Sequence, residues 1–279
     1  MSQAYDLSLP YDNVRQSMQT NISRGTDKMI SVALISYNGE KYIRHQLESI
    51  LCQLPQDGEV VVSDDGSTDA TRQIVSEMAK SDKRIRLVDG PCKGVIKNME
   101  NAIANTRVYD KWKSDSGRSG AKDNICEDYL FMADQDDEWM PDKIEKVVKA
   151  FEEHGVDLVM HDVRVMNGDL TEELMPSFFE YRGSCVGFWK NMIKNRYMGC
   201  AMALRANRLD DSIPIPEDVP MHDQWIGMRN DMHGNGGYCL PDKLLLYRRH
   251  GGNVSDFDKN SVWVMIRNRV RLLIRLLTY

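Results

Sequence analysis

The chain has 279 residues, of which 42% are hydrophobic and 28% charged, a balance typical of a globular protein with one large α/β domain or two small ones. Its formal net charge of −6 argues against a nucleic-acid-binding protein that works through a broad basic surface. The six cysteines include no C-x-x-C pair. Residues 1–28 lack the apolar core of a signal peptide. The sequence has no run of 18 apolar residues, so we predict no membrane-spanning helix. We therefore expect a cytoplasmic protein with reduced thiols.

Apolar, β-branched runs alternate with segments of helical spacing along the first half of the chain. This alternation predicts βαβ units, and hence a mostly parallel sheet with helices on both faces. In such a sheet, ligands gather at the carboxyl ends of the strands. The predicted elements are strands over residues 29–36, 59–63, 84–88 and 129–133, and helices over residues 40–51, 70–80 and 97–104.

The middle of the chain departs from this regular alternation. Residues 105–128 are polar and too numerous for an ordinary helix-to-strand connection, so we predict a mobile insertion there. Residues 157–161 predict another strand, whereas residues 177–202 show no clear period. We expect the second half of the chain to pack on the same sheet and to form the other wall of a cleft.

An acidic cluster, Asp134-Gln135-Asp136-Asp137, directly follows the strand predicted over residues 129–133. Carboxylates at the end of a buried strand repel one another and lose hydration unless a cation neutralises them. Hard oxygen ligands suit Mg²⁺ or Mn²⁺, whose remaining ligands are often water and phosphate oxygens. The alternative is a solvated acidic loop before the helix that Pro141-Asp142-Lys143 would begin.

Four motifs follow one another in an order that resembles family 2 glycosyltransferases of the GT-A fold. They are Tyr37-Asn38-Gly39, the segment Ser63-Asp64-Asp65-Gly66-Ser67-Thr68-Asp69, the acidic cluster and Met140-Pro141-Asp142-Lys143. The resemblance implies a single domain over residues 29–255, preceded by an extension over residues 1–28. The first strand, the Asp-Gln-Asp-Asp motif and residues 247–255 further resemble bacterial rhamnosyltransferases of surface-polysaccharide synthesis.

The resemblance implies a nucleotide site at the first strand ends. The ring of Tyr37 would border the base, and Asp64 or Asp65 would accept hydrogen bonds from the base and the ribose. Asp134 would contact the ribose or a metal-bound water, Asp136 would bind the metal, and Asp137 would support them. A core tyrosine and a helix-capping aspartate are the structural alternatives.

The resemblance also implies a general base on a later loop, because an acceptor hydroxyl must lose its proton. The matching residue is Asp223, in Met221-His222-Asp223-Gln224-Trp225, and His222 would orient it. The alternative is that Asp223 caps a helix beginning near Gln224.

A basic segment over residues 247–255 resembles the family's late motif, which closes over the diphosphate. His250 would complete the metal ligands or bind the diphosphate, and Arg248 or Arg249 would offer charge-assisted bonds to phosphate. The neighbouring glycines suit a loop that opens and closes.

The last segment, residues 261–279, contains four arginines and no acidic residue. Arg267, Arg271 and Arg275 fall on one side of a helical projection, and apolar residues fall on the other, which is typical of a helix at a membrane surface. We therefore predict a basic amphipathic helix within residues 256–279 and a peripheral position at the inner face of the cell membrane. Docking of this helix on the domain is the alternative.

Together these features predict an inverting, metal-dependent glycosyltransferase that moves one sugar from a nucleotide diphosphate donor to a saccharide or lipid-linked acceptor. The resemblance favours dTDP-rhamnose as donor, and UDP-hexoses stay open. A sugar nucleotidyltransferase would need a G-x-G-T-R loop where Tyr37-Asn38-Gly39 stands, and a glycosidase would not need Asp64 and Asp65. A catalytically inactive binding protein of the same fold stays open.

Overall fold

Within the part of the chain that the structure describes, one mixed sheet carries nine strands. The computed structural model describes residues 28–115, 126–183, 186–251 and 262–279. The strands are β1 (Ile30–Ser36), β2 (Glu59–Asp64), β3 (Ile85–Asp89), β4 (Tyr129–Ala133), β5 (Glu138–Trp139), β6 (Leu158–Asn167), β7 (Glu173–Met175), β8 (Met202–Arg205) and β9 (Gly237–Arg249). Predictions for residues 1–27 and 252–261 lie outside the described residues.

The helices lie between these strands and after them. They are α1 (Ile43–Leu51), α2 (Thr71–Ser81), α3 (Val95–Ala104), α4 (Arg107–Asp115), α5 (Lys143–His154), α6 (Phe178–Arg182), α7 (Phe188–Ile193), α8 (Leu209–Ser212), α9 (His222–His233) and α10 (Val262–Thr278). None of them combines the length and the apolar character that crossing a bilayer requires.

The first half of the sheet has the predicted parallel arrangement. β1 lies between β2 and β4 and pairs with both in parallel, and all seven of its residues are buried. A strand covered on both faces reads as a continuous apolar run rather than an alternating one, which is why the sequence predicts β1, β2 and β4 almost to the residue. The predicted α/β fold with a mostly parallel sheet is confirmed.

The second half of the chain extends the same sheet, as expected. The strand order is β3-β2-β1-β4-β8-β6-β9-β5, with β7 beside β6. β8 runs antiparallel to both β4 and β6, whereas β9 runs parallel to β6. The two-residue strand β5 pairs with β9 and brings the segment after β4 against the end of β9.

The segment over residues 105–128, which we expected to be a mobile insertion, is helical over nine residues of its first half. Residues 107–115 form α4, and Val108, Tyr109 and Trp112 are buried in the main core. The Trp112 indole also donates to Asp210 at 2.8 Å. These apolar residues recur at helical spacing within a polar stretch, and the polar composition outweighed them in the sequence interpretation. Residues 116–125 lie outside the described part of the chain.

The predicted C-terminal helix is confirmed as a helix, and it docks on the domain through part of its surface. Leu272 and Leu276 are buried in the main core. Arg275 pairs with Asp218 at 2.9 Å, and the Tyr279 ring meets Trp225 edge-on at 5.5 Å. Docking therefore accounts for one side of α10, and other apolar side chains of this helix stay exposed.

Candidate active site

The carboxyl ends of β1, β2 and β4 lie side by side and gather the predicted donor-binding residues. Ser36 is opposite Asp64 in the β1–β2 ladder, and Leu34 is opposite Ala133 in the β1–β4 ladder. Because these strands are parallel, Tyr37, Asp64 and Asp134 emerge at the same edge of the sheet.

Asp64 fixes the loop after β2 from within. Its carboxylate accepts hydrogen bonds from the Ser36 hydroxyl at 2.9 Å, from the Ser67 amide and hydroxyl at 2.9 and 2.6 Å, and from Arg72 at 3.1 Å. Burial acts to raise the pKa of Asp64, but these hydrogen bonds outweigh it and the pKa is lowered. The carboxylate is therefore ionised, and both of its oxygens already accept hydrogen bonds from Ser36, Ser67 and Arg72.

Asp65 is the more accessible member of the pair. Its two oxygens accept the Lys93 amide at 3.3 Å and the Gly94 amide at 2.7 Å, which ties the loop after β3 to the loop after β2. The side chain is half-buried, so it keeps a surface toward the predicted nucleotide site.

The Tyr37-Asn38-Gly39 turn is held by side chains from both neighbouring strand ends. Gln135 accepts from the Tyr37 amide and donates to the Tyr37 carbonyl, each at 2.9 Å. Asn38 adopts φ +49, and its side chain accepts the Thr68 amide at 2.8 Å. A Cβ on Gly39 would lie 2.1 Å from Gln135 Oε1, so only glycine permits this approach.

These hydrogen bonds fix the backbone of Tyr37, whereas its ring is exposed to solvent. The side chain is 57% exposed, which excludes the alternative of a core tyrosine. Sequence reasoning missed the part played by Gln135, although its place inside the Asp-Gln-Asp-Asp motif was the available signal.

The acidic loop between β4 and β5 is largely buried, and one of its carboxylate oxygens accepts no hydrogen bond from the described residues. Asp137 is fully buried, and its Oδ1 accepts the Arg248 amide at 3.1 Å. Its Oδ2 has no hydrogen-bond partner among the described residues. Restricted hydration, Asp136 and Asp223 together raise the pKa of Asp134 to about 7. Burial, followed by Asp136 and Asp134, raises the pKa of Asp137 as well.

Neighbouring carboxylates with raised pKa values, one of which has an oxygen without a hydrogen-bond donor among the described residues, fit the binding of a cation. Ligand atoms of Asp134, Asp137 and Cys200 lie within 4.8 Å of one another. Burial raises the pKa of the Cys200 thiol, which therefore stays protonated and is a poor ligand. The carboxylate oxygens are left as donors, and they fit a hard divalent ion such as Mg²⁺ or Mn²⁺.

Asp136 and His250, the predicted metal pair, are in direct contact. His250 Nε2 and Asp136 Oδ2 are 2.7 Å apart, and the imidazole stacks on Tyr42 with ring centroids 4.8 Å apart. A carboxylate oxygen and an imidazole nitrogen this close together would be able to hold one divalent ion.

Arg248 is buried, and its guanidinium contacts the backbone of the acidic loop. Its guanidinium donates to the Asp136 carbonyl at 2.8 Å and to the Gly168 carbonyl at 2.9 Å, and it lies 4.9 Å from the Tyr42 ring centroid. The geometry gives Arg248 a positioning role. Arg249 is half-buried, and its predicted contact with phosphate stays a prediction, while residues 252–255 of this motif lie outside the described residues.

Lys143, Trp139 and Cys200 pack together beside the acidic loop, and sequence reasoning missed Lys143 and Trp139. The Lys143 ammonium is fully buried, donates to the Cys200 carbonyl at 2.9 Å and lies 3.8 Å from the Trp139 ring centroid. Burial lowers its pKa to about 7, against the opposing influence of Cys200, Asp137 and Asp134. The preceding Asp142 is the N-cap residue of α5, without a side-chain capping hydrogen bond, so the sequence signal at this position concerned the start of the helix.

Asp223 faces this acidic loop from the first turn of α9. Its Oδ1 accepts Asn195 Nδ2 at 3.1 Å and the Gln224 amide at 2.5 Å. Burial raises its pKa. The N-cap residue of α9 is Met221, so the alternative of an N-cap aspartate does not hold. A Cβ on Gly199 would lie 3.6 Å from the Asp223 Cβ, and the sulfur of the adjacent Cys200 lies within 4.8 Å of carboxylate oxygens of Asp134 and Asp137, so Asp223 and the acidic loop approach the same short segment.

His222 is buried beside Asp223 and stays neutral. Neither of its ring nitrogens has a hydrogen-bond partner in the described part of the chain, and burial lowers its pKa. A Cβ at Gly199 would lie 2.7 Å from His222 Nε2, so glycine lets the imidazole pack against the backbone. Asn195, which bonds the Asp223 carboxylate directly, comes from an aperiodic segment and carried no sequence signal.

A mostly parallel sheet with acidic loops at the adjoining ends of β1, β2 and β4 has the arrangement of the GT-A class of glycosyltransferase folds. Residues 31–209 match the family described as Glycosyl transferase family 2. The chain belongs to that family and is a glycosyltransferase.

Known proteins resemble the chain in sequence and in fold. The putative teichuronic acid biosynthesis glycosyltransferase TuaG of Bacillus subtilis is 25% identical over 249 residues, which cover 88% of this chain and 89% of TuaG. TarS residues 1–349 from S. aureus, solved with UDP-GlcNAc, align with a TM-score of 0.61 at 19% identity, over 88% of this chain and 66% of that one. The mannosyltransferase PcManGT from Pyrobaculum calidifontis, solved with GDP-Man and Mn²⁺, aligns with a TM-score of 0.52 at 17% identity, over 95% and 71% of the two chains.

Proposed function

We propose that the chain is an inverting, divalent-metal-dependent enzyme that transfers one sugar from a nucleotide diphosphate donor to a saccharide or lipid-linked acceptor in cell-surface polysaccharide synthesis. The observation that carries this proposal is the meeting of two carboxylate sets in one cleft. The loop of Asp134 and Asp136 suits the diphosphate side. Asp223 packs beside Gly199, where a Cβ would lie 3.6 Å from the Asp223 Cβ, and the next residue, Cys200, has its sulfur within 4.8 Å of carboxylate oxygens of Asp134 and Asp137.

The donor half supports binding of a nucleotide. The exposed ring of Tyr37 offers a face for the base, and Asp65 keeps an accessible carboxylate for base or ribose hydrogen bonds. Asp64 is more deeply buried and acts through the loop that carries Asp65. Asp136 and His250 would hold the metal ion, with Asp134 and Asp137 beside them.

The bound metal would supply positive charge that stabilises the departing diphosphate. Asp223 would accept the proton of the acceptor hydroxyl. The hydroxyl oxygen would form a bond to the anomeric carbon on the face opposite the diphosphate. The bond from that carbon to the diphosphate oxygen would break, its electron pair leaving with the diphosphate, so the anomeric configuration inverts.

The donor identity is part of the proposal. The rhamnosyltransferase-like form of the first strand and of the Asp-Gln-Asp-Asp motif favours dTDP-rhamnose, whereas TarS was solved with UDP-GlcNAc and PcManGT with GDP-Man. TuaG is named for teichuronic acid biosynthesis, which supports a polysaccharide acceptor. A cytoplasmic position at the membrane inner face would suit an acceptor carried on a lipid.

The test is a screen of dTDP-rhamnose, UDP-hexoses and GDP-mannose for Mn²⁺-dependent thermal stabilisation, followed by nucleotide release and product analysis with oligosaccharide acceptors. We expect one donor class to raise the melting temperature only with metal present. Asp136→Asn should remove that stabilisation, and Asp223→Asn should keep it but abolish transfer.

Glu77→Gln is the matched control, because Glu77 lies on α2 in a half-exposed pair with Arg44. It should leave binding and transfer unchanged. Donor binding without any transfer in the unmodified protein, across acceptors, would instead favour a binding protein of the same fold.

A further inference from the structure

The C-terminal helix α10 has two apolar faces, of which the domain covers only one. Leu272 and Leu276 are buried against the core, and the Arg275–Asp218 pair and two hydrogen bonds from Arg269 to the Ile193 carbonyl fix the helix on that side. The orientation of α10 is therefore set by specific contacts, and the opposite face is presented outward.

The outward face is a continuous apolar arc. Side chains on it are between 37% and 81% exposed, and they span about 100° of the helix circumference. They are Trp263, Ile266, Val270, Leu273, Ile274 and Leu277. Soluble proteins rarely leave so many large apolar side chains exposed together, and such surfaces usually contact a partner or a membrane.

The neighbouring helix α7, which contacts α10 through Arg269, also exposes large apolar side chains. Trp189 and Ile193 of α7 are 75% and 73% exposed, and Ile193 is joined to α10 through Arg269. Two residues after Ile193, the Asn195 side chain donates to the Asp223 carboxylate at 3.1 Å. The exposed apolar face of α7 and α10, here called the α7–α10 surface, thus borders the proposed acceptor side of the cleft.

The charge on this surface is opposite to that of the chain. Arg267 and Arg271 are exposed and border the apolar arc next to Ile274 on the helical projection. Residues 262–279 contain no acidic residue, although the chain has a net charge of −6. A row of arginines beside an apolar face with tryptophans matches the interface of an anionic bilayer.

We propose that the α7–α10 surface docks the protein on an anionic lipid bilayer and turns the cleft at Asn195 and Asp223 toward an acceptor carried on that bilayer. The orientation of the acceptor rests on the proposed function, whereas the docking itself does not. A second copy of the chain fits less well. A two-fold contact of α10 with itself would bring the Arg267 and Arg271 rows together without acidic partners in that helix.

The test uses the full-length protein with vesicles of phosphatidylcholine alone and of phosphatidylcholine with phosphatidylglycerol. We expect cosedimentation with the anionic vesicles, weakened by salt. Two of the five tryptophans, Trp189 and Trp263, are exposed, whereas Trp112, Trp139 and Trp225 are buried. Binding should therefore shift the tryptophan emission to shorter wavelength and protect it from acrylamide.

Two variants separate the charged and apolar contributions. Arg267→Glu with Arg271→Glu should lower partitioning at least about 25-fold, because each arginine near an anionic surface contributes roughly fivefold. Trp263→Ser with Val270→Ser should lower it at least about tenfold. Lys80→Glu with Lys83→Glu makes the same change in net charge at exposed positions near the end of α2 and should leave partitioning unchanged.

Three outcomes would overturn the proposal. The first is equal binding to neutral and anionic vesicles, and the second is an equal loss in the Lys80 and Lys83 control. The third is a dimer of the unmodified protein that Trp263→Ser with Val270→Ser converts to a monomer, without vesicle binding by either form. Vesicle binding needs no donor or metal, so its failure is distinguishable from failure of the transferase proposal, which the donor screen measures separately.

Discussion

The two walls of the cleft are built in different ways. The donor wall, at the ends of β1, β2 and β4, is a lattice of short side-chain-to-backbone hydrogen bonds such as those of Gln135 and Asp64. The acceptor wall, around α7 and α9, holds Asp223 on few bonds and leaves both His222 ring nitrogens without a partner among the described residues. In the proposed function, the tightly bonded wall would recognise the nucleotide, and the sparsely bonded wall would carry the chemistry on the acceptor.

The largest effect should come from Asp223→Asn, which tests whether the acceptor wall carries the chemistry. Loss of a general base typically costs about 10² to 10⁴ in rate, so we expect kcat to fall by that factor. Donor affinity, measured by thermal stabilisation with Mn²⁺, should change far less than kcat, because Asp223 lies on α9 and not on the loops after β1, β2 and β4. Equal losses of donor binding and rate would contradict the division into two walls.

Gly39→Ala tests the donor wall. The new Cβ would meet Gln135 Oε1 at 2.1 Å, so Gln135 must release the Tyr37 backbone or the turn must shift, at about 1 to 3 kcal/mol. We expect a lower melting temperature and a raised KM for the donor, with kcat at saturation less affected.

Gly168→Ala is the matched control for this change. A Cβ there would meet its nearest neighbour at an ordinary 3.6 Å, and no large shift in stability is expected. If Gly39→Ala lowered kcat alone, with donor KM and stability intact, the rigid donor wall would not be what positions the nucleotide.

Asn195→Ala should have an intermediate effect that appears in the pH profile. Burial already raises the pKa of Asp223, and the hydrogen bond from Asn195 acts to lower it. Removing that bond should raise the pKa further. The carboxylate accepts a proton only when ionised, so the acid limb of kcat/KM should move to higher pH, with a loss of roughly tenfold at neutral pH.

The acid limb distinguishes this from a merely structural role. Asn195→Ser, which can still donate, should return the limb toward that of the unmodified protein. A uniform fall in activity with an unmoved limb would mean that Asn195 supports the fold and not the base.

The difference between the donor wall and the acceptor wall also explains how much of the site could be predicted from the sequence. β1, β2 and β4 are buried on both faces, so each strand and its polar exit read directly from consecutive residues, and Tyr37, Asp64 and Asp134 could be grouped from order alone. Asn195 and Cys200 lie in an aperiodic segment, and only the antiparallel placement of β8 between β4 and β6 brings that segment under the acidic loop. Helix α4 was missed because three apolar residues were outweighed by polar neighbours.

Arg72→Met should have the smallest effect and sharpens the account of the donor wall. Arg72 links Asp64 at 3.1 Å to Asp89 at 2.6 Å and is 39% exposed, so solvent screening limits its worth to about 1 kcal/mol or less. The pKa of Asp64 in the folded state is lowered from its ordinary value of 3.8. The ion pair of Asp64 with Arg72 therefore contributes its full stability above pH 3.8, and this contribution is lost as the pH falls through the folded-state pKa. Urea denaturation should therefore show a small deficit for the variant at pH 7 that shrinks below pH 3.8. A deficit that stays constant into acid would assign the effect of Arg72 to packing of its alkyl stem, and the hydrogen bonds from Ser36 and Ser67 would then hold Asp64 without it.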